Sequence, residues 1–421
     1  MRLTRRMLIA SGGATMAASA WPARAQAETK ESWVPDDRAL ETLETLARKH
    51  SIPGASAAIY ENGDIAWTWA YGVQSVASGK PVGPETLFQA ASLSKPVTAY
   101  VTMQMIEHGL LGLDDRLIDY HRPERLSDNP WSTQVTVRHA LTHATGLPNW
   151  PERDETTVIE PAFAPGTGYS YSGQAFQWVQ AAIERISGHS LQELCSRYLF
   201  APAALDDMAM LWLPGRVDRE ALGHVLGDDG VNTLEPSFFD QKVGAQLYRI
   251  SQRWGRPLTS FTLDDYRAAF RVIDSFDDER LDGFGAYRWE RPQMALANAA
   301  SSLRTTPTDY ARFLALMLPP PPAQREGLLP EAGRALMLTP QTERDAPKGN
   351  VPAGIGWGLE RREGRIVYHH WGMNGQSYVS NALGDPALRR TIVVMSNGSS
   401  GGPFIDQAAL MLTGTPYANY V

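Results

Sequence analysis

The sequence predicts an α/β protein, in which one body is closed by the two ends of the chain and carries an inserted helical lobe. Three observations indicate this fold class. Strand-like runs occur near the start of the chain and again near its end, and the residues between them, 90–295, are mostly helical or irregular in pattern. Elements that are far apart in sequence can pack around one core, so the middle segment is read as an insertion. The cleft between two lobes is a common place for a small-molecule site.

The N-terminal elements follow from periodicity and turn residues. Residues 37–50 carry apolar side chains at helical spacing, which predicts an amphipathic helix. Residues 54–73 form two strand-like runs about Asn62-Gly63, a dipeptide typical of two-residue hairpin turns. An apolar helix is predicted over residues 93–108, and Gly109 is a suitable residue to end it.

The C-terminal part returns to strands. Short runs rich in β-branched or aromatic residues are bounded by Gly, Asn and Asp, and a last helix follows them. The predicted strands cover residues 364–372, 376–383 and 389–398, and the helix covers residues 404–414. In the middle of the chain, residues 136–147 and 175–188 are typical of helices, whereas the order of elements within residues 214–290 stays open, as does their role.

The first 25 residues are predicted to be an export signal rather than part of the fold. They combine a basic start, a weakly apolar middle and the cleavage pattern Ala23-Arg24-Ala25. Thr4-Arg5-Arg6 before an apolar run is typical of a twin-arginine signal, and an ordinary secretory signal is the alternative. We therefore expect residues 1–25 to be removed, residues 30–421 to form the mature domain, and the protein to be periplasmic or secreted.

Charge and cysteine content exclude several classes of protein. The formal charge is −7, and it becomes −11 when residues 1–25, which hold four arginines and no acidic residue, are removed. A nucleic-acid partner is not expected, because such proteins carry a basic patch. No later apolar run is long enough to span a bilayer. Cys195, the only cysteine, cannot form an intrachain disulfide and is expected to be a small buried residue. Nothing in the sequence sets an oligomeric state.

Ser92 and Lys95 are the first candidates for chemistry. They stand three residues apart at the start of the apolar helix, where such side chains are neighbours, so the Lys95 amine can reach the Ser92 hydroxyl. A serine becomes nucleophilic when a base accepts its proton, and a lysine can serve if burial lowers its pKa. The helix start also offers backbone N–H groups and a positive dipole end to a developing oxyanion. Of six lysines, only Lys95 has a serine three residues before it.

Two later stretches also carry polar side chains next to turn residues. Tyr171 follows the turn Pro165-Gly166-Thr167 and stands before a helix, so its phenol is a candidate general base. The alternative is a tyrosine that packs at a turn. His370 and Gly372 lie at the end of a predicted strand. The histidine could donate to a substrate carbonyl or carboxylate, or be a surface residue, and the glycine would let a substrate lie close to the strand.

Taken in this order, the three stretches resemble the serine β-lactamase and penicillin-binding-protein superfamily, and most closely its class C β-lactamase-like branch. That branch includes esterases, D-aminopeptidases, D,D-carboxypeptidases and amide hydrolases. The resemblance covers about residues 50–400 and includes the phrases TVRHALTHATGLP, ANAASSLRTTPTDYARFLALML and GIGWGLE. It implies an α+β fold with an antiparallel sheet flanked by helices, a helical lobe over about residues 91–295, and an active site between them.

The resemblance also implies roles for individual residues. Ser92 corresponds to the acylated nucleophile and Lys95 to its activating partner. Tyr171 corresponds to the tyrosine of the second motif, and Tyr169 takes the aromatic position before it.

The third motif and the oxyanion hole are implied in the same way. His370 and Gly372 correspond to substrate-binding positions. The backbone N–H groups of Ser92 and Met373 correspond to the oxyanion hole. No cofactor is expected.

Two departures from the family pattern bear on the substrate. Gly173 stands where the second motif usually has an asparagine, whose side chain would contact the substrate amide. The third motif reads His370-Trp371-Gly372 rather than Lys-Thr-Gly, and a neutral histidine attracts a carboxylate less than lysine does. Both changes favour ester or peptide substrates over penicillins.

The sequence therefore predicts an exported serine hydrolase that acts through an acyl-enzyme on small esters or on peptides and amides. A D,D-carboxypeptidase or weak β-lactamase is the alternative among enzymes, and a penicillin- or muropeptide-binding sensor that acylates without turnover is the alternative outside them. Whether Lys95 or Tyr171 is the base stays open. His139 and His143 are four residues apart, but Ala140 replaces the glutamate that a zincin helix requires, so we expect no metal.

Overall fold

One six-stranded antiparallel sheet is built from both ends of the chain. Its strands are β1 (Gly54–Glu61), β2 (Asp64–Gly72), β9 (Gly358–Arg362), β10 (Arg365–Asn374), β11 (Tyr378–Asp385) and β12 (Arg390–Ser396). Their order is β2-β1-β12-β11-β10-β9, and every neighbouring pair is antiparallel. Strand β1 from the start of the chain pairs with β12 from its end, with Ala58 opposite Val393. This confirms the predicted fold class, in which the two ends of the chain close one body.

The structure is a computed structural model that describes residues 35–150, 158–234, 238–272, 296–319, 327–343, 345–346, 349–362, 364–375 and 377–413. The export signal predicted for residues 1–25 lies outside the described residues, as do residues 273–295 at the end of the predicted helical lobe. No helix in the described ranges is both long enough and apolar enough to cross a membrane.

The remaining elements are short strands and helices. The strands are β3 (Phe88–Ala91), β4 (His224–Leu226), β5 (Asn232–Leu234), β6 (Leu303–Thr305), β7 (Asp345–Ala346) and β8 (Gly349–Asn350). The helices are α1 (Asp37–Lys49), α2 (Ser94–Glu107), α3 (Val137–Leu141), α4 (Gly173–Ser187), α5 (Leu191–Cys195), α6 (Ala201–Ala203), α7 (Phe238–Trp254), α8 (Leu263–Val272), α9 (Pro307–Ala315), α10 (Glu331–Met337) and α11 (Gly401–Thr413).

The hairpin between β1 and β2 forms where the sequence predicts it. Asn62 and Gly63 both have positive φ, at 53° and 106°, as a two-residue turn that matches the strand twist requires. All eight residues of β1 are buried, because helices cover both faces of the sheet. On one face α1 and α11 contribute Leu43 and Phe404 to a core with Ile59. On the other, α9 packs against β1 and β12.

Helix α2 lies within the core that joins the sheet to the helical lobe. Its residues from Ser94 to Met105 are buried on all sides, as expected for a helix without a polar face. It contacts α4 and α5 of the lobe. Gly109, at φ 69°, follows its last turn in the left-handed conformation that was expected for the end of this helix. A lysine at the start of this helix is therefore shielded from water.

Residues 214–290, whose order the sequence leaves open, contain a β4–β5 hairpin followed by α7 and α8 in their described part. His224 in β4 donates its backbone N–H to the Asn397 carbonyl (2.9 Å), so the hairpin is held against the chain that leaves β12. Cys195 at the end of α5 is fully buried, as expected, and burial raises the pKa of its thiol. The cysteine is thus a packing residue.

A buried ion pair holds β3, the strand that leads to Ser92. Arg304 in β6 places Nε 2.9 Å from Oε1 of Glu220, with side chains only 2% and 7% exposed. Burial raises the pKa of Glu220, and the guanidinium opposes that effect. The Ala221 N–H donates to the Leu87 carbonyl (2.9 Å), so the pair fastens this segment to the residue before β3. Because both side chains are buried, each charge is stabilised by its partner and not by water.

We predict that Arg304→Met lowers the free energy of unfolding by about 3–5 kcal/mol, because Glu220 is left buried without its cation. Urea denaturation monitored by tryptophan fluorescence measures this change. The double variant Arg304→Met/Glu220→Leu is the control and should recover most of the loss, since no unpaired charge remains. A loss below about 1 kcal/mol in the single variant would show that the pair is not coupled as described.

Candidate active site

Ser92 stands at a strained turn between β3 and α2. Ala91, just before it, has φ 51°, a left-handed conformation that is unfavourable for any residue with a Cβ. Ser94 holds this turn, because its hydroxyl donates to the Ala91 carbonyl (2.7 Å) and accepts from the Leu303 N–H (2.9 Å). Within the described chain no acceptor takes the Ser92 backbone N–H. The turn thus presents the Ser92 hydroxyl and its N–H together.

Lys95 contacts Ser92 directly. Its Nζ lies 3.0 Å from the Ser92 Oγ and donates to the Ala300 carbonyl at 2.9 Å. The side chain is 1% exposed, and burial lowers the pKa of Lys95 to about 7. In the neutral amine, one N–H serves the Ala300 carbonyl and the lone pair is available to the Ser92 O–H. The sequence predicted this contact from spacing alone, and the structure brings the two side chains together.

The helical lobe positions the carbonyl that Lys95 contacts. The carboxamide of Gln180 in α4 bonds the backbone of residues 297 and 299 at 3.0 and 2.9 Å. Glu184, one turn further along α4, accepts from the Gln180 amide at 3.0 Å, and burial raises the pKa of Glu184 to about 7. Asn298 accepts from the Ala300 N–H at 2.7 Å. The loop before β6 is thereby fixed to α4.

Tyr171 lies between Lys95 and His143. Lys95 Nζ is 4.7 Å from the centroid of the Tyr171 ring. The His143 ring packs against Tyr171 at 4.4 Å between centroids, and its Nδ1 accepts from the Ser172 N–H at 3.1 Å. Because Nδ1 is an acceptor, a neutral His143 carries its proton on Nε2. His139, the other histidine of the pair considered for a metal, caps α3 through Thr136.

His370 lies near Tyr171, with 6.2 Å between the ring centroids. Its Nδ1 donates to the Trp371 carbonyl at 2.8 Å, since a carbonyl can only accept. Burial, followed by the charge of Lys95, lowers the pKa of His370 to about 3. The ring therefore stays neutral and offers Nε2 as an acceptor. In this tautomer the ring would accept a hydrogen bond from a substrate rather than donate one, and the contact between His370 and a substrate stays a prediction.

The structure gives a packing reason for the glycine at position 372. A Cβ at this position would lie 2.6 Å from the Ala90 carbonyl oxygen and 2.9 Å from the Leu93 side chain. The glycine is buried and does not line the cavity described below. The missing Cβ lets β10 pack against the β3 turn, and the expected approach of a substrate to Gly372 stays a prediction.

A cavity of about 390 Å³ opens over Ser92. Met373, 46% exposed, also lines it, so the two residues expected to form the oxyanion hole border the same space. Among the described lining residues there is no lysine, arginine, aspartate or glutamate. They are Ser92, His143, Asn149, Tyr169, Tyr171, Val351, Pro352, Ala353, Gly356, Trp357, Gly358, His369, His370, Trp371 and Met373.

Trp150 explains the glycine in the second motif. A Cβ on Gly173 would come within 2.4 Å of two atoms of the Trp150 indole. No larger side chain fits there while Trp150 keeps its place. The loss of an amide at position 173 and the presence of an indole at position 150 are thus one structural feature.

Sequence reasoning missed several groups of this site. The Ala300 carbonyl has no side-chain signal, and Gln180 reads as an ordinary polar residue in a helix. His143 was considered only as a metal ligand. Asn149 lines the cavity from a loop, and the only signal that could have pointed to it is the missing side chain of Gly173.

Known proteins resemble this chain in sequence. A sequence model of the family described as Beta-lactamase matches residues 39–413. The chain is 31% identical over 209 residues to Penicillin-binding protein 4* of Bacillus subtilis (strain 168), covering 44% of this chain and 45% of that protein. It is 28% identical over 189 residues to Esterase EstB of Burkholderia gladioli, covering 38% of this chain and 47% of that protein. The chain spans about half the length of these curated relatives.

Solved structures share the fold at low sequence identity. The octameric penicillin-binding protein homologue from Pyrococcus abyssi has a TM-score of 0.65 at 18% identity, covering 90% of this chain and 77% of that one. A class C beta lactamase from Rhodobacter sphaeroides has a TM-score of 0.63 at 16% identity, covering 90% of this chain and 99% of that one. The fold and the resemblance predicted from the sequence are confirmed. Because the family model matches from residue 39 to residue 413, the chain belongs to the beta-lactamase family.

Proposed function

We propose that this chain is an exported serine hydrolase that acts through an acyl-enzyme on small, uncharged esters or on peptides and amides. One observation carries the proposal: the buried Lys95 amine, with its pKa lowered to about 7, lies 3.0 Å from the Ser92 Oγ. A base of that pKa in contact with an alcohol is what activates a serine nucleophile near neutral pH. Export rests on the signal-like pattern of residues 1–25, and the periplasm or the exterior is the proposed location.

In the acylation step, the Ser92 oxygen attacks the substrate carbonyl carbon while its proton passes to a base. The hydrogen bond between Ser92 and Lys95 favours Lys95 as the first acceptor. The backbone N–H groups of Ser92 and Met373 would stabilise the negative oxygen of the tetrahedral intermediate. When that intermediate collapses, the bond to the leaving alcohol or amine breaks, and the proton held by Lys95 is delivered to it by way of the Tyr171 hydroxyl.

In the deacylation step, a water molecule repeats the attack on the acyl-enzyme. The hydroxyl of Tyr171, whose ring lies over the Lys95 amine, would accept a proton from this water while passing its own proton to the neutral Lys95 amine. The bond from Ser92 to the acyl carbon then breaks, the free acid is released, and the Ser92 oxygen regains its proton from Lys95. The neutral Nε2 of His370 is available as a further acceptor near Tyr171, whose ring centroid is 6.2 Å away.

The preference for uncharged substrates is supported by the lining of the cavity. Its described residues include no lysine, arginine, aspartate or glutamate, and burial lowers the pKa of His370 to about 3, so this ring is neutral near neutral pH. A substrate carboxylate would lose its hydration without meeting a fixed cation in this lining. Penicillins and peptides with a free C-terminus carry such a carboxylate. Weak β-lactamase or D,D-carboxypeptidase activity is therefore the second candidate, and esters and uncharged amides are favoured.

We predict that the mature protein hydrolyses p-nitrophenyl esters well above a chromogenic cephalosporin, and that Ser92→Ala reduces ester turnover by about a thousand-fold or more. The exposed Ser78→Ala is the matched control and should retain wild-type rates. D-Alanyl peptides complete the panel. Equal rates in wild type and Ser92→Ala would refute the assigned nucleophile. One burst of product without steady turnover would instead identify an acylating sensor.

We predict that ester turnover depends on the protonation of Lys95. The neutral amine is the active form, so kcat/KM should rise with pH, reach half its plateau near pH 7, and be about 100-fold below the plateau at pH 5. His370 should add no second inflection above about pH 3. Lys95→Arg, which stays charged, should be inactive at every pH at which the protein is folded. A profile that is flat between pH 5 and 8 would contradict this role.

A further inference from the structure

Asn149 joins the cavity to the start of α4. Its Oδ1 accepts the Gly173 N–H at 2.9 Å, and its backbone carbonyl accepts the Gln174 N–H at 2.9 Å. Because a backbone N–H can only donate, the side-chain atom that faces Gly173 is the oxygen. This hydrogen bond fixes the orientation of the Asn149 carboxamide. Its other terminal atom is Nδ2, which carries two N–H donors.

The Nδ2 group is available to a ligand. Asn149 is exposed and lines the same cavity as Ser92 and Tyr171. In the described parts of the chain, no acceptor takes either of its Nδ2 hydrogens. It is also the only carboxamide among the described lining residues.

The neighbouring groups cannot supply the same donor. Gly173 has no side chain and, beneath Trp150, has no room for one. The Ser172 hydroxyl is already used, because it donates to the Pro148 carbonyl (2.7 Å) and accepts from the Ala175 N–H (3.0 Å). Of Asn149, Ser172 and Gly173, only Asn149 therefore offers a side-chain hydrogen-bond donor to a substrate.

We propose that Asn149 is a substrate-binding residue whose Nδ2 donates to a second carbonyl in the acyl part of the substrate, as in an N-acylated amino-acid ester or amide. This inference rests on the proposed hydrolase function and narrows its substrate class. A wall without lysine, arginine, aspartate or glutamate that carries a fixed carboxamide N–H donor suits an uncharged carbonyl oxygen better than a carboxylate or an ammonium group. Peptide-like acyl groups supply such an oxygen, and simple alkyl esters do not.

Two p-nitrophenyl esters of nearly equal shape distinguish acyl groups that have a second carbonyl from acyl groups that lack it. N-Acetylalanine, used as both enantiomers, carries the second carbonyl, and 2-methylpentanoate has methylene groups in its place. In the wild type, kcat/KM should favour one enantiomer of the N-acetylalanine ester. Asn149→Asp should lower the ratio of kcat/KM between that ester and the 2-methylpentanoate ester by about 10-fold or more, mainly through KM.

Asn149→Asp is chosen because it separates binding from folding. The carboxylate keeps an acceptor for the Gly173 N–H and suits the positive end of α4, so Tm should be unchanged or higher. Asn149→Ala removes both functions and should lower Tm as well as the ratio. Rates are compared on the high-pH plateau, where a change in the pKa of Lys95 has no effect. An unchanged ratio in Asn149→Asp would overturn the inference.

A binding measurement keeps this test independent of hydrolysis. In a Ser92→Ala background, calorimetry with N-acetylalanine amide measures binding without turnover. Adding Asn149→Asp should raise the Kd by about 10-fold, and an equal Kd would refute the donor role. Failure of the proposed function would appear separately, as ester turnover in the wild type that does not depend on Ser92.

Discussion

The structure of this site depends on the burial of one amine. Lys95 is almost completely shielded from water, and its pKa falls from 10.5 to about 7. A shift of that size corresponds to on the order of 5 kcal/mol against the charged form. The described ion pairs include none to Lys95, so no carboxylate offsets this cost. The chain bears this cost beside Ser92 because only the neutral amine has a lone pair that can accept the hydroxyl proton.

Two parts of the fold share the task of holding that amine. The sheet side provides the strained turn at Ala91 and the close approach of Gly372 to the Ala90 carbonyl, which together set the place of Ser92. The lobe side provides Gln180, through which α4 holds the loop that bears the Ala300 carbonyl. Lys95 contacts both Ser92 and Ala300, so its position reports the alignment of the two parts. A small movement between them would alter the one hydrogen bond that the chemistry requires.

Sequence patterns predicted the contacts between residues that are close together in the chain. Spacing gave the Ser92–Lys95 contact, and turn residues gave the hairpin at Asn62-Gly63. They could not show that Trp150 lies on Gly173, because the two residues are brought together only by folding. The proton position on His370 depends on the Trp371 carbonyl, and the role of Gly372 depends on Ala90 in another strand. The Ala300 contact uses backbone, which no residue type reveals.

A single cause, exclusion of water, sets the charge state of the whole site. It lowers the pKa of Lys95, and together with the Lys95 charge it lowers that of His370. Burial alone disfavours a charged His370 when Lys95 is neutral, and repulsion between two cations adds to this effect when Lys95 is charged. A lysine at position 370 would face the same repulsion and would raise the cost of charging Lys95. Replacing it by a neutral ring, and placing a neutral amide at Asn149, keeps the cavity suited to uncharged acyl groups, while the hydroxyl of Ser92 stays activated near neutral pH.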